Sequence, residues 1–246
     1  MKKSLFLLSV LLLFILLWEY AGWRLESFTF VVPRPSGIVA RMYDVPGRFL
    51  IHSYATFLEM IGGLALATAL SFVMAWIMIE FSSAATVLQP LFLTIKCIPM
   101  FTLAPLMVLW FGWGYTAILI PTTLMIFFPV TLNIYQGLKS VPQEWLDYFA
   151  LHHATSWQTF IKLRLPWARP SIFTGIKLGT AAAGIGAIAG EWAGAQEGLG
   201  ILMIESRRAI DLETTFAALV CLTILSLSFY GAACALEKYF TESVRN

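Results

Sequence analysis

The sequence predicts an all-α fold, a polytopic bundle of six membrane-spanning helices. Of the 246 residues, 59% are hydrophobic and 12% are charged, whereas soluble domains carry about 25% charged residues. A soluble protein of this size would need a polar surface that so few charges cannot supply, so lipid must cover most of the outside. Several uncharged runs also reach the length of about 20 residues that crosses a bilayer. We expect a single membrane domain over residues 1–246.

The six predicted spans follow the uncharged runs. The first begins with residues 4–18 and extends to Trp23. A cleaved signal peptide is the alternative, but bulky aromatic residues occupy the place of the small residues that mark a cleavage site. The other five spans lie at residues 55–79, within 97–138 as two crossings, at 172–190 and at 214–236. A glycine-containing turn at residues 111–114 separates the third span from the fourth.

The basic residues predict the orientation of the spans. An even number of spans places both termini on the same side of the membrane. The loops on that side carry somewhat more lysine and arginine than the opposite loops, and they include Lys139, Lys162, Arg164 and Lys238. Because basic loops stay in the cytoplasm, the sequence predicts that both termini are cytoplasmic.

Residues 140–170 form a segment that is too polar to cross the membrane, yet its apolar residues recur three and four positions apart. Its bulky aromatic residues include Trp145, Tyr148, Phe149 and Trp157. This pattern predicts a short helix, a turn near residues 152–155 and a second helix. Pro142 suits the start of a helix, and Pro166 and Pro170 are expected to end the segment. An amphipathic loop lying on the inner leaflet is the alternative.

Ionisable residues near the span ends are candidates for a functional site. A carboxylate at the membrane edge is costly unless it is paired or faces water, so Glu191 is a candidate at the end of the fifth span. A carboxylate that simply reaches the outer interface is the alternative. Lys96, close to Pro99, is also either a functional residue or a structural one. In the second interpretation its side chain snorkels to the inner surface of the membrane. The fifth span also carries glycines that permit close helix contact, either within the chain or between two copies. They are Gly175, Gly179, Gly184, Gly186 and Gly190.

Several function classes find no support in the residues. No GxxxxGK[ST] phosphate loop occurs, so the chain cannot bind ATP in that way. His152 and His153 have no cluster of cysteines or carboxylates near them, so we expect no metal and no cofactor. A net charge of +2 without a basic stripe argues against a nucleic-acid partner. Neither the catalytic constellation of an enzyme nor the inverted repeats of an ion-coupled secondary transporter are evident, and the transporter is kept as the alternative class.

The cytoplasmic segment resembles the loop of ABC importer permeases that contacts the ATPase. In that family an acidic residue, two alanines and a glycine precede an aliphatic residue and a Leu-Pro pair. The matching positions are Asp147, Leu163 and Pro166. The differing positions are Tyr148 and Phe149 in place of the alanines, and His153 in place of the glycine. The glycine would supply a turn with positive φ, which histidine adopts less readily.

Four further stretches are similar to the same permeases and occur in the expected order, at residues 33–36, 98–112, 128–138 and 190–200. The resemblance implies the type I ABC importer permease fold, in a bacterial inner membrane, with two copies facing each other around a central pathway. It implies ATP-binding-cassette ATPase subunits and a periplasmic or lipid-anchored solute-binding protein as partners. The chain itself is then a transport subunit and not an enzyme.

The resemblance also implies roles for individual residues. Contact with the ATPase is expected from Trp145, Asp147, Tyr148, Phe149, His153, Trp157 and Pro166. The solute pathway is expected to include Lys96, Pro99, Trp110, Glu191 and Trp192. Residues 140–170 form the coupling segment within the single domain.

The nearest branch of this family handles sulfonates, taurine, nitrate and the pyrimidine precursors of thiamine. The run at residues 185–192, followed by 198–200, most resembles the permeases for thiamine-precursor pyrimidines. We therefore expect a small, flat, polar ring as solute, with aromatic residues such as Trp113 stacking on it and Glu191 accepting hydrogen bonds from its amino group. Arg207 and Arg208 lie in the same outer loop and keep a sulfonate, taurine or nitrate as the alternative.

Overall fold

The computed structural model describes residues 2–24 and 32–242, and the elements within these residues are helices. In chain order they are α1 (Lys2–Arg24), α2 (Pro35–Asp44), α3 (Pro46–Glu80), α4 (Ser82–Lys96), α5 (Met100–Phe111), α6 (Tyr115–Lys139), α7 (Gln143–Leu151), α8 (Ser156–Thr159), a π-helical turn (Phe160–Arg164), α9 (Leu165–Trp167), α10 (Arg169–Gly194), α11 (Leu199–Arg208) and α12 (Leu212–Glu242). The predicted all-α fold is confirmed. Residues 243–246, which the sequence assigns to the cytoplasmic side, lie outside the described residues.

Four helices, α3, α6, α10 and α12, are long and apolar enough to cross a membrane. They confirm the predicted second, fourth, fifth and sixth spans. Helix α1 has 23 residues, and its side chains at residues 11–17 are apolar and exposed. At 1.5 Å per residue this helix is about 34 Å long, which matches a hydrocarbon core of about 30 Å. The total of six spans stays a prediction.

The third predicted span is not one straight helix. Helix α5 has 12 residues, about 18 Å, which is too short to cross the hydrocarbon core alone. Helix α4, which the sequence analysis did not predict, precedes it at a bend of 96°. Pro99 has no backbone N–H and disfavours a helical conformation at Ile98, and the helix breaks at this point. Helices α4 and α5 are long and apolar enough to form a bent span only when taken together.

The predicted helix, turn and second helix within residues 140–170 are confirmed as α7, the turn at residues 152–155 and α8. Pro166 and Pro170 do not end the segment, contrary to the prediction. Pro166 lies in α9 and Pro170 lies in the first turn of α10. The preceding turn is π-helical, with the N–H of Leu165 donating to the carbonyl of Phe160. This wider turn accommodates the proline ring and its missing N–H without ending the helix.

The helix connections gather at two ends of the bundle. At one end, α2 and α11 pack against the start of α12. At the other end, the segment from α7 to α9 lies against the end of α3, where the rings of Trp76 and Trp157 are 6.2 Å apart. This separation agrees with the predicted assignment of the loops to two sides. Which end faces the cytoplasm stays a prediction.

Helices α6 and α10 form the most extensive helix pair in the structure. Glycines of α10 let the two backbones approach closely. A Cβ atom built on Gly186 would lie 2.8 Å from Cα of Thr122, and one built on Gly190 would lie 2.8 Å from Cα of Ile118. Gly184 faces α12 instead. Of the two roles left open for these glycines, the structure supports a tight crossing within the chain.

This close approach predicts that Gly190→Ala destabilises the protein. The added methyl group has no space against the backbone of α6, and overpacking of this kind costs about 1–3 kcal/mol. The control is Gly231→Ala in α12, because a Cβ there meets nothing within 4 Å, and alanine favours the helix by up to about 1 kcal/mol. Thermal unfolding of both variants in detergent measures the difference. Equal melting temperatures for the two variants would contradict this account of the crossing.

Candidate functional site

A cavity of about 540 Å³ lies where the first half of α3, the turn between α5 and α6, and the end of α10 meet. Its aromatic lining residues are Tyr54, Trp113 and Tyr115, and its polar ones are Glu59, Gln196 and Glu197. The volume falls within the range of about 300–1,000 Å³ that is typical of small-molecule sites. Among the described residues that line it, none is lysine or arginine. The cavity therefore presents aromatic rings and carboxyl groups.

Glycines shape the rim of this cavity. Gly112 and Gly114 have φ angles of 77° and 135°, which only glycine adopts readily, and they form the predicted turn between the third and fourth spans. The ring of Trp113, between them, lies over Gly194, since a Cβ there would be 2.8 Å from the indole. The turn and the end of α10 are thereby held together at the mouth of the cavity.

Glu59 is a cavity residue that the sequence analysis did not identify. Its side chain is 3% exposed, and one of its carboxyl oxygens has no hydrogen-bond partner among the described residues. It is in hydrogen-bond contact with the carboxyl group of Glu191. A signal was present in the sequence, because Thr56, Glu59 and Gly63 lie three and four residues apart and so share one face of α3.

Glu191 is fully buried and bonded within the protein. Its Oε1 accepts a hydrogen bond of 2.7 Å from the hydroxyl of Thr56. Its Oε2 accepts bonds from the backbone N–H groups of Gly200 and Ile201. These N–H groups belong to the first turn of α11, which has no partners for them within its own helix. Glu191 therefore caps α11 and joins it to α3 and α10, and it does not line the cavity.

The hydrogen bonds of α3 complete the attachment of α11. The hydroxyl of Thr56 accepts a bond of 2.8 Å from the N–H of Leu199, and Nδ1 of His52 accepts one of 3.0 Å from the N–H of Gly198. Gly198 has φ of 134°, and a Cβ on it would overlap the carboxyl group of Glu191. The glycines that follow Glu191 in the sequence motif are thus required by the position of its side chain.

The other predicted pathway residues are not brought together at the cavity. Trp110 and Trp192 are 65% and 48% exposed, and neither lines it. Lys96 ends α4 and Pro99 precedes α5, so both lie at the 96° bend. A further cavity of about 790 Å³ lies between α3, α4 and α6, and Lys139 lines it at the opposite end of the bundle.

A network around Asp211 fixes the turn between α11 and α12. Arg41 of α2 donates to Asp211 at 3.0 Å. Burial alone would raise the pKa of Asp211, but hydrogen bonds from Thr214 and Arg41 hold this pKa below its usual value. Since the folded-state pKa is lowered, the network stabilises the fold at neutral pH, and this contribution is lost as the pH falls through the lowered pKa. The hydrogen bonds of this network also offset the energetic cost of the left-handed conformation of Ile210, whose φ is 58°.

The turn after α7 has the geometry that a glycine would provide. His153 has φ of 52°. The N–H of Ala154 donates to the carbonyl of Phe149, and the N–H of His153 donates to that of Ala150, which together form a Schellman motif. The ring of Tyr148 packs at 4.4 Å on His152. His153 therefore adopts the positive-φ conformation that a glycine at this position would supply.

The predicted coupling residues lie on the surface around this turn. The side chains of Trp145, Tyr148 and Trp157 are 49%, 52% and 59% exposed. Asp147 accepts a hydrogen bond from Gln143 on the same helix at 2.8 Å, and Phe149 lines a shallow cavity of about 220 Å³. Trp157 differs from the others, because its ring also packs on Trp76 of α3 and on Phe160.

The attachment of α11 predicts the effect of Thr56→Val. This isosteric change removes the donor to Glu191 and leaves the N–H of Leu199 buried without an acceptor, a loss of about 1–3 kcal/mol. We expect amide hydrogens at residues 198–201 to exchange about tenfold faster or more in mass-spectrometric hydrogen exchange. The control is Thr223→Val, whose hydroxyl is exposed and bonds only to the carbonyl of Leu219. Unchanged exchange in Thr56→Val would contradict the capping role.

Comparison with known proteins identifies the family of the chain. It is 34% identical over 243 residues, 98% of each chain, to a probable ABC transporter permease protein of Haemophilus influenzae. It is 34% identical to the formylaminopyrimidine transport permease protein ThiX of Halalkalibacterium halodurans, over 97% of this chain and 96% of the relative. It is 30% identical to the riboflavin transport system permease protein RibX of Chloroflexus aurantiacus, over 94% and 87%. Residues 67–242 match the family of binding-protein-dependent transport system inner membrane components, and the chain belongs to this family.

Proposed function

We propose that this ABC importer permease subunit moves a small planar nitrogen heterocycle that carries an amino group, such as a thiamine-precursor pyrimidine. Membership of the family implies that an ATPase and a solute-binding protein act with the chain. The solute would leave the binding protein, enter the cavity between α3, α6 and α10, and cross the membrane when the ATPase closes. We further propose that two copies of the chain form the permease, with both termini cytoplasmic.

The lining of the cavity carries this proposal. Aromatic rings such as Trp113 offer flat apolar surfaces on which a planar ring can stack. The carboxyl groups of Glu59 and Glu197 accept hydrogen bonds from amino groups, as a pyrimidine with an exocyclic amine would require. An anionic solute would instead need cationic or N–H donors, and no lysine or arginine is among the described residues that line this cavity.

The arginines that favoured an anion in the sequence do not line this cavity. Arg207 and Arg208 are exposed at the end of α11, and the described cavity residues include neither. Helix α11, which carries them, is instead held by its first turn against Glu191. A sulfonate, taurine or nitrate is therefore the less favoured solute.

The names of two relatives agree with a planar nitrogen heterocycle. The relative from Halalkalibacterium halodurans is named for formylaminopyrimidine, and the one from Chloroflexus aurantiacus for riboflavin. Both solutes are flat, nitrogen-containing ring systems, and sulfonates are not. These names support a class of solute and not one compound.

Uptake into proteoliposomes tests the solute class. The permease, its ATPase and its binding protein would be reconstituted and offered radiolabelled formylaminopyrimidine, riboflavin, taurine or an alkanesulfonate. We expect ATP-dependent uptake of the pyrimidine because its ring and amino group match the cavity. Uptake of taurine or the alkanesulfonate, without the pyrimidine, would overturn the proposed solute. Uptake driven by an ion gradient without ATP would favour a secondary transporter instead.

The exposed face of α7 supports a role in coupling to the ATPase. Trp145 and Tyr148 present aromatic surface away from the bundle, and anchors at protein interfaces are often such aromatic residues. The turn at His153 orders the end of α7, and the guanidinium of Arg164 donates to the carbonyl of Leu138 at the end of α6 at 2.8 Å. A displacement of α7 would thus be transmitted to α6 through the ordered turn at His153 and the hydrogen bond of Arg164.

The coupling role predicts the behaviour of Trp145→Ser combined with Phe149→Ser. The double variant should hydrolyse ATP without transport, with uptake lowered about tenfold or more, because the interface loses its anchors. The spans should stay folded, since α7 has no buried residues. A matched control is Tyr43→Ser, which removes an aromatic ring that is 81% exposed at the opposite end. Normal uptake per ATP in the double variant would refute the coupling assignment.

A further inference from the structure

We propose that Glu59, and not Glu191, is the specificity-determining carboxyl group that contacts the solute in the cavity. This inference rests on the proposed function, since it names the residue that would recognise the amino-bearing ring. Sequence motifs drew attention to Glu191, which stands beside glycines. The structure separates the two carboxyl groups into one that holds the protein together and one that faces the cavity.

Glu59 combines three properties of a ligand contact. It lines the cavity, its side chain is 3% exposed, and its carboxyl group contacts the carboxyl group of Glu191. Its Oε2 is enclosed and receives no hydrogen bond from the described residues, which is unfavourable for a buried polar atom and calls for an explanation. A small rotation of the side chain toward the cavity would let a donor on a solute reach this oxygen.

Glu191 cannot make the same contact. Its Oε1 is bonded to the hydroxyl of Thr56, and its Oε2 to the N–H groups of Gly200 and Ile201. Its bonds therefore go to α3 and α11, and its side chain is fully buried. A solute that displaced these bonds would detach the first turn of α11, at a cost that no single new bond would offset.

The contact between the two carboxyl groups sets the chemistry that Glu59 offers. Two buried carboxylates in contact repel each other, so the pair holds one proton. The donors of Thr56 and the first turn of α11 stabilise negative charge on Glu191, so the proton resides on Glu59. Glu59 then offers the solute an acid group in place of a full charge. Because the O–H of Glu59 is donated to Glu191, the acid presents its carbonyl oxygen to the solute. A ring N–H can donate to this oxygen, whereas a sulfonate has only acceptor oxygens and gains nothing from it.

The surroundings of Glu59 match a flat ring. Trp113 and Tyr54 provide exposed aromatic faces on the cavity wall. The hydroxyl of Tyr115 donates to the carbonyl of Leu58 at 3.0 Å. Leu58 directly precedes Glu59 in α3, so this bond fixes the ring of Tyr115 close to Glu59. A ring stacked on one of these aromatic faces would lie in the same cavity as the carboxyl group of Glu59.

The test uses the reconstituted complex with its binding protein loaded with formylaminopyrimidine. Glu59→Leu should lower ATP-dependent uptake about five- to tenfold, the loss expected for one hydrogen bond in a dry site. Stimulation of ATP hydrolysis by the loaded binding protein should persist, because the docking surfaces are intact. Glu59→Gln should restore most of the uptake, because its amide also hydrogen-bonds the ring while carrying no charge. Glu205→Gln, an exposed acidic residue outside the cavity, is the matched control.

Infrared spectroscopy gives a readout that does not depend on transport. The carbonyl stretch of a protonated carboxylic acid should be present in the wild type and lost in Glu59→Gln. If Glu59→Leu does not accumulate in the membrane, the role of Glu59 is tested by this band and by the uptake of Glu59→Gln.

The outcomes separate this inference from the proposed function. Wild-type uptake of the pyrimidine with unchanged uptake in Glu59→Leu overturns the inference alone. An acid band that persists in Glu59→Gln also overturns it. Wild-type uptake of the alkanesulfonate in place of the pyrimidine overturns the proposed solute, and the role of Glu59 with it.

Discussion

The buried carboxyl group of Glu191 is the contact on which one end of this bundle depends. A buried charge costs several kcal/mol unless hydrogen bonds replace its lost water. Here the hydroxyl of Thr56 and two N–H groups of α11 provide those bonds, and the same bonds satisfy the first turn of α11. Three helices are joined by one side chain, which fixes the wall behind the cavity. Glu59 lies beside this side chain and lines the cavity.

Helices α3, α6 and α10 connect the two ends of the protein. Helix α3 runs from Glu59 at the cavity to Trp76, which contacts Trp157 of the coupling segment. Helix α6 begins at the cavity rim and ends where Arg164 binds the carbonyl of Leu138. Gly186 and Gly190 bring the backbone of α10 close to that of α6. Helices packed this closely move as rigid bodies, which suits a permease that must convert closure of an ATPase into movement around a solute.

The spans and their charged residues show which features of this protein can be predicted from the sequence. Composition and uncharged runs identified a membrane protein with spans at α3, α6, α10 and α12, and spacing identified the helices around His153, because these signals come from neighbours along the chain. The partner of a charge within a span is different: Lys177 of α10 pairs with Glu237 of α12 at 2.6 Å, and these two residues are 60 positions apart in the chain. The bend between α4 and α5 was missed, although Pro99 was noted, because an uncharged run does not report the direction of the helix axis.

The sequence by itself determined the class of the protein, a polytopic all-α permease, and drew attention to a motif around Glu191. Only the tertiary structure decided what that motif does. Glu59 and Glu191 lie on different helices, far apart in the chain, and their contact depends on how α3 packs beside α10. The same packing decides that Glu191 is enclosed while Glu59 lines the cavity. Hydropathy and spacing describe the local preference of each segment, whereas the partner of a buried polar group is set by three-dimensional packing that no single segment encodes.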